Sequence, residues 1–474
     1  MKHLIVAIGT LLTLSVAAQI AEVRTYGGIF FDEARAIAEW GDGYALVGTT
    51  SSEDNGNSDI LLLKLNDDLT VEWTLTLGGT ASDQGRDVVL TPDGDVIVLG
   101  QTAAGAIGAY DLLVHRIDPE GNIVWQEHYG TTDWDFASSI VFGNNTYFVA
   151  GTTYGETPGG SRMVLYRIDG EGNLLDETTY DILPDAEAKD LAFYENAVYM
   201  TGTRTFDGGN PQAVIRKLSL SGAVIWEHAR DSVAYDGAAV DVGLNGIAAG
   251  FSLRDPNEND TWDIQMIGFD YDGNETWSFW ANTPDPSNQR TGDIRWVTGP
   301  DILVGATTDT YGQGGDGVMV LRCGFDGTFL GVTTIGAGDD EVCHEILEDS
   351  QGRIVAVGST DSYGNGNKDA YLVRLPDRVI SDLYDQEVQE LTNQSDFVHV
   401  DTQHLPLEGP YPNPFNDQLT IPEGCERWSM YSPDGTLVRI GSSSHIHTSE
   451  MLSGMYLLVW ERNGLVFRER LIKE

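Results

Sequence analysis

The chain has 474 residues, 41% of them hydrophobic, with 55 Gly and only 16 Pro, so it is long and apolar enough to bury large cores and is not a disordered polymer. Its 27 Lys plus Arg face 73 Asp plus Glu, a formal charge of -46 that repels nucleic acid and anionic lipid surfaces. Cations, neutral glycans and basic surfaces remain as partners, and the excess charge also serves solubility in its own right.

Residues 1–18 open on Lys2 and His3, run through an apolar core from Leu4 to Val16, and leave on the small residues "VAA". This is the layout of a secretory signal peptide. The run is shorter than the ~20 residues that a membrane span requires, and no later stretch approaches that length. A mature chain beginning near Gln19, secreted or held on the outer cell surface without a transmembrane segment, is the expectation.

From residue 19 to residue 377 one unit returns. The apolar-then-Gly step "VLG" at Gly100 recurs at Gly48, Gly151, Gly202, Gly250, Gly305 and Gly358, a period of about 50 residues that points to a solenoid or a propeller. Each copy carries four short apolar runs, and "DVIVLG" and "DLLVHRID" alternate with the period of two that half-buried strands require. Turn residues such as "PDGD" and "DPEGN" separate the runs. Four antiparallel strands repeated seven times predict an all-β fold, a seven-bladed β-propeller. The opening strand "QIAEVRTY" is surplus, whereas the seventh unit stops near Asp377 after its third strand. Setting the first on the edge of the last blade closes the ring and removes an open sheet edge.

That topology sends the long connections to one face: "TSSEDNGNSD", "SLRDPNENDTWD", "TDTYGQGGD" and "TDSYGNGNKD". This face and the channel mouth at its centre are where a ligand is expected. An acidic residue opens the first strand of most units: Asp32, Asp83, Asp135 and Glu341, with Asp185 and Asp236 one residue early, while blade six offers Gln289 followed by Arg290. As a site, these would ring the channel mouth and bind ligand or Ca²⁺ through oxygen. As structure, each carboxylate would accept backbone N–H groups of its own inter-blade loop. Asp54, Asp59, Asp260 and Asp263 sit in acidic loops with the spacing of a loosely built Ca²⁺ site that does not match an EF-hand.

Catalytic motifs are missing: no HExxH, no G-x-S-x-G elbow, no P-loop and no Cys/His zinc spacing. His115, His128, His228 and His344 fall in or beside strands and read as packed or surface residues. Two functions follow, a non-catalytic binder of a glycan, protein or matrix ligand, or a carbohydrate-active hydrolase or lyase with paired acids at the channel mouth. Blade six, with Gln289, Arg290 and Arg295, is the most irregular. Cys323 and Cys343 come from neighbouring blades, and a disulfide between them requires Cα atoms within about 7 Å; Cys425 stands alone.

Fourth strands carry Trp73, Trp125, Trp226 and Trp277 in equivalent places, an arrangement that resembles the tryptophan docking motif of quinoprotein-type propellers. The resemblance implies rings packed between blades. No set of cofactor ligands accompanies it, so a quinone is not implied, and the Asp box of sialidases is missing.

After the repeats, residues 378–408 are polar and acidic and read as a linker. Residues 409–474 contain "GPYPNPFNDQLTI", "WSMYSPDGTLVRI" and "LSGMYLLVWERNG" and a basic end. With Pro412, Asn413, Pro414 and Phe415, the turn at Gly435, and Gly454 with Tyr456, this segment resembles the C-terminal sorting domain of proteins exported by the Bacteroidetes type IX secretion system. Its strand-like alternation predicts a small immunoglobulin-like β-sandwich. The resemblance implies passage through the type IX machinery and then release or attachment to surface lipopolysaccharide, with the propeller as cargo. The repeats themselves resemble the short propeller repeats of bacterial secreted proteins.

Overall fold

Alternation of apolar side chains makes the second and third strands of each repeat the centre of a sheet buried on both sides. Leu46, Val47, Leu61 and Leu62 in one repeat, and Val98, Leu99, Leu112 and Val114 in the next, have no exposed surface. The computed structural model describes residues 21–52, 58–104, 107–154, 160–180, 185–206, 209–230, 234–255, 261–281, 288–299, 301–309, 315–336, 338–364 and 367–375, and, in a separate C-terminal unit, 418–420, 427–431, 437–442, 445–447, 454–462 and 465–473.

Seven four-stranded antiparallel sheets form the propeller. Blade one consists of Asp32–Trp40, Gly43–Thr50, Asp59–Leu65 and Val71–Leu77, hydrogen-bonded in that order from the centre outward. The innermost strands of the others are Asp83–Leu90, Asp135–Gly143, Ala186–Tyr194, Ala234–Gly243, Gln289–Trp296 and Glu341–Glu348. Blade seven takes its outer strand from the beginning of the chain. Glu22–Tyr26 pairs with Asp369–Leu375 in the register Glu22 to Arg374 and Tyr26 to Ala370. The expected closure is what the chain adopts.

The blades are held by side chains shared between sheets. At the closing seam, Ile37, Leu46 and Leu63 of blade one pack with Val355, Val357 and Leu372 of blade seven. Each such buried aliphatic side chain is worth roughly 1.5–3 kcal/mol, so the seam outweighs any single surface ion pair, worth about 0–1 kcal/mol. The fourth-strand indoles add a directional contact. Trp125 Nε1 donates to the Gly170 carbonyl at 2.9 Å, Trp226 to Tyr271 at 3.2 Å and Trp73 to Pro119 at 3.3 Å, each in the turn of the following blade. Beneath Trp125 that turn carries Gly172 at φ 84, where a Cβ would lie 3.1 Å from the ring.

A feature absent from the sequence pattern recurs in all seven innermost strands. Each has a bulge against its second strand, skipping Arg35, Arg86, Ser138, Lys189, Gly237, Gly292 or His344. The bulge explains the glycine of the repeat. In blades one, two, three, four and seven the glycine pairs with the residue just before the bulge. A Cβ there would collide with the preceding carbonyl, that of Gln84 at 2.7 Å from Gly100 and that of Phe136 at 2.7 Å from Gly151. Blades five and six place the bulge differently. Gly250 and Gly305 pair beyond it and face side chains of the next blade, Thr291 and Cys343.

Cys323 and Cys343 are free thiols, both buried. The Cys323 sulfur lies 3.9 Å from Met266 Sδ and the Cys343 sulfur 3.9 Å from the Glu345 carbonyl, so no bridge joins the blades. In the C-terminal unit, Gln418–Thr420 pairs with His445–His447, and a second sheet runs Leu437–Gly441, Arg427–Tyr431, Gly454–Arg462, Leu465–Lys473. Trp428, Met430, Ile446 and Leu458 are buried there. Gly454 and Tyr456 pair with Lys473 and Leu471. Pro412, Asn413, Pro414, Phe415 and Gly435 lie outside the described residues, as do residues 1–18 and the linker.

Candidate ligand-binding site

The acids that open the innermost strands are not at the surface of the channel. Asp32, Asp83, Asp135 and Glu341 have no exposed surface and Gln289 has 1%. Asp32 Oδ2 accepts the Gly28 N–H at 2.7 Å and the Ser52 hydroxyl at 2.6 Å. Asp83 Oδ2 accepts Gly79 N–H at 2.8 Å, and Asp135 Oδ2 accepts Thr131 N–H at 2.6 Å. They tie down the connections between blades. Asp185 is exposed just before its strand, with φ 56, and Asp236 pairs with Ser252. Asp59 and Asp263 are buried, at 4% and 7% exposure, while Asp54 and Asp260 lie outside the described residues. Among the described residues no group of three or more His, Cys, Asp or Glu is placed to hold a metal ion.

The bulges add polar side chains to the innermost strands. The skipped residue cannot pair, and the bulge re-aims its side chain: the Ser138 hydroxyl donates to the Ala188 carbonyl on the next blade's innermost strand at 2.7 Å, and Arg86 reaches Gln101 on the second strand of its own blade. Arg35, Arg86, Lys189 and His344 thus form one layer, roughly 10 Å below the start of their strands at about 3.3 Å per residue. Arg35 Nε meets Glu33 at 2.8 Å, Lys189 meets Glu187 at 2.9 Å, and His344 Nε2 lies 3.7 Å from Glu33. Burial works against the Glu33 charge, but His344 and Arg35 outweigh it and bring its pKa down to about 2. Among the described residues Arg86 has no carboxylate within hydrogen-bond distance, although Glu33 favours its charge from further away. It donates to Gln84 Oε1 at 2.9 Å and Gln101 Oε1 at 3.3 Å, and burial together with the neighbouring Arg35 pushes it down to about 10.

One residue further along lies a ring of acids, Asp87, Asp190, Asp293 and Glu345, joined by Asp241. Their oxygens are committed to amides across the blade boundaries. Asp87 accepts Val88 N–H and Ile140 N–H, both at 2.7 Å; Asp190 accepts Leu191 at 2.7 Å and Val240 at 2.8 Å. Asp293 accepts Ile294 and Ile346, and Glu345 accepts Ile37. Burial raises all five acids, Asp87 to about 6 and Asp293 to about 7. Arg295 offsets the charge, 3.0 Å from Asp293 and 2.5 Å from Glu345.

At the mouth, on the loop face, four aromatic rings form a cluster. Tyr110 stands 5.4 Å from Phe136, Trp134 6.2 Å from Phe136 and 6.3 Å from Tyr154, ring centre to ring centre. Trp134 is 52% exposed and Tyr154 38%. The loops fix them, since the Tyr154 N–H donates to the Trp134 carbonyl and the Asp135 N–H to the Tyr110 carbonyl, both at 2.9 Å. Phe136 occupies the strand position of Gln84 in blade two and Glu33 in blade one, so the cluster sits one blade on from Gln84 and two residues above the level of the bulges. Across the mouth, exposed Arg290 lies 5.9 Å over the Trp262 ring. Sequence reasoning named Arg290 as a candidate at the channel mouth and did not name Trp134. The available signal was an aromatic at a loop position that is Ser82 in blade two and Asp185 in blade four.

No family model matches the chain, and no curated protein matches it. Among solved structures, the extracellular domain of a putative hybrid two-component system from B. thetaiotaomicron aligns at 9% identity with a TM-score of 0.41, covering 93% of this chain and 55% of that one. The chain thus spans about half the length of that structure. The subtype N10 neuraminidase-like protein of A/little yellow-shouldered bat/Guatemala/060/2010 aligns at 11% identity and a TM-score of 0.41, covering 66% of this chain and 97% of that one. Both likenesses are too distant to bear on what this chain does. Among the described residues no helix is long and apolar enough to cross a membrane.

Proposed function

We propose that the chain is a non-catalytic glycan-binding β-propeller, secreted or displayed at the cell surface, that takes its ligand at the channel mouth on the loop face. The aromatic cluster of Tyr110, Trp134, Phe136 and Tyr154 carries this reading. Exposed rings fixed by backbone hydrogen bonds are costly to leave in water and mark interaction sites. Size separates a sugar from a protein. A stable protein interface buries about 800 Å² on each partner, whereas a half-exposed Trp and its neighbours offer room for one or two pyranose rings, whose apolar faces stack on aromatics. The adjoining Gln84 and the charged groups at the mouth provide hydroxyl partners. The buried openings Asp32, Asp83, Asp135 and Glu341 favour no hydrolytic pair.

Export follows from the resemblance of residues 409–474 to a type IX sorting domain, which makes the C-terminal unit the signal for the outer-membrane machinery and the propeller its cargo, released or attached to surface lipopolysaccharide. The glycan and non-catalytic readings are testable together. The purified chain, incubated with a panel of insoluble polysaccharides, is expected to be retained on at least one without releasing new reducing ends. New ends would overturn the non-catalytic reading; retention on none would overturn the glycan reading.

A further inference from the structure

In a chain with 73 acidic against 27 basic residues, an arginine without a carboxylate is informative. Arg116, Arg167, Arg204, Arg216, Arg230, Arg295, Arg322, Arg353 and Arg374 all hold acidic partners. Among the described residues Arg86 hydrogen-bonds only the amide oxygens of Gln84 and Gln101, with Glu33 acting on it from beyond hydrogen-bond reach. Its neighbour Arg35 spends one N–H on Glu33 and keeps its guanidinium partly open, at 31% side-chain exposure. The acid ring immediately below does not neutralise either. Those carboxylates accept backbone N–H groups of the adjoining blades and face Arg295.

We infer that Arg35 and Arg86, set at the equivalent bulges of adjacent innermost strands, form an anion-binding site in the channel throat that takes the carboxylate or sulfate of an acidic sugar whose ring stacks on the aromatic cluster. The class of ligand follows from three features. Two guanidinium groups on adjacent blades suit a planar or tetrahedral oxyanion, which can accept from both. The adjoining aromatic rings require that the anion be carried on an apolar-faced body. The acid ring of Asp87, Asp190, Asp293 and Glu345 then sets a floor, because an anion that passed the arginines would meet like charge in a poorly solvated space. A negative protein thus gains a reader of negative polymers without becoming generally sticky to them, since its outer surface repels all but the group that reaches the throat.

The inference rests on the glycan reading for the body of the ligand but not for the anion, and two probes separate the parts. The first is sulfate alone, compared with chloride at equal ionic strength by thermal unfolding. Sulfate stabilises folded chains in general by exclusion from their surface, so it is expected to raise the melting temperature of the wild-type chain by more than that of Arg86→Gln, the difference being what a bound anion adds. The second is a pair of oligogalacturonates, one free acid and one methyl ester, in titration calorimetry. The acid is expected to bind at least tenfold tighter at low salt, with the preference shrinking in 0.5 M NaCl. Arg86→Gln and, as a second variant in case the first folds poorly, Arg35→Gln are expected to bring acid and ester together. Trp134→Ala is expected to weaken both. Equal binding of acid and ester by the wild type, or an equal sulfate rise in wild type and Arg86→Gln, overturns the anion site. A larger sulfate rise in the wild type with no oligogalacturonate bound supports the anion site while overturning the acidic sugar as its ligand; the glycan reading itself falls only with retention on none of the polysaccharides.

Discussion

Glycine in the second strand is the residue by which the repeat announces itself, and the reason lies in a neighbour that the sequence does not show. The rhythm of Gly48, Gly100, Gly151, Gly202 and Gly358 was legible because a bulged carbonyl leaves no room for a Cβ opposite it. The bulge itself was not legible, since an unpaired residue exists only once two strands have paired. Arg35 and Arg86 therefore looked like ordinary strand residues. The periodic acids left two readings open for a related reason: a period reports equivalent places, and Asp32 and Asp83, wholly buried and bonded to loop N–H groups, take the structural one. The collision makes a graded prediction. Gly100→Ala, facing the Gln84 carbonyl at 2.7 Å and the Ile60 side chain, should cost about 1–3 kcal/mol in denaturant unfolding, as overpacked sites do. Gly250→Ala, which meets only the Thr291 methyl at 3.0 Å, should cost less than about 1 kcal/mol. Equal losses would mean that the bulge is not what the glycine serves.

At the scale of the element, the strand Glu22–Tyr26 was placed by a count of strands, one surplus and one missing. Its register adds what a count could not, the buried Val23 and Tyr26, the Tyr26 hydroxyl donating to Leu69 O at 2.8 Å, and the Arg374 ion pair with Glu22. Removing residues 19–26 exposes the sheet edge of blade seven and strips at least two buried side chains, each worth roughly 1.5–3 kcal/mol. The truncated chain should melt markedly lower, by about 10 °C, taking a few degrees for each kcal/mol. A synthetic peptide of those residues should restore part of the loss by pairing with the vacant edge. An unchanged melting temperature would show that the ring is not closed through this strand. The C-terminal unit was legible as strands; the proposed export role rests on a resemblance of which Gly454 and Tyr456 lie in a described strand, whereas Pro412 to Phe415 and Gly435 lie outside the described residues.

Over the whole molecule, charge is the property that couples stability to surroundings. Asp87 and Asp293, raised to about 6 and about 7 by burial, sit above the ~3.9 of an unfolded Asp. The folded chain thus binds protons that the unfolded chain releases, and their contribution is full below pH ~4 and lost as pH rises through 6 to 7. Glu33, lowered to about 2, acts oppositely, but its stabilisation is lost only in strong acid. Asp190, Asp241 and Glu345, raised by burial against the opposing Arg295, share the direction of Asp293, and relief of the overall negative charge adds to it. His115, lowered to about 4 by burial, and His344, lowered likewise, work the other way once pH falls below the ~6.5 of an unfolded His. The melting temperature is therefore expected to rise from pH 8 to about pH 6.5, and Asp293→Asn to flatten that rise. A wild-type profile that falls over this range would contradict the assignment.

Function is drawn from the meeting of these scales at one mouth, where loops hold four rings beside a charged throat. Trp134 and Trp280 are comparably exposed, at 52% and 50%, but Trp280 stands on the outermost strand of blade five, away from the channel. The most direct measurement is retention of the wild type, Trp134→Ala and Trp280→Ala on the polysaccharide that the chain binds best. Loss of at least tenfold with Trp134→Ala and none with Trp280→Ala is the predicted result. Equal retention by all three proteins, or loss confined to Trp280→Ala, would contradict a ligand site at the channel mouth.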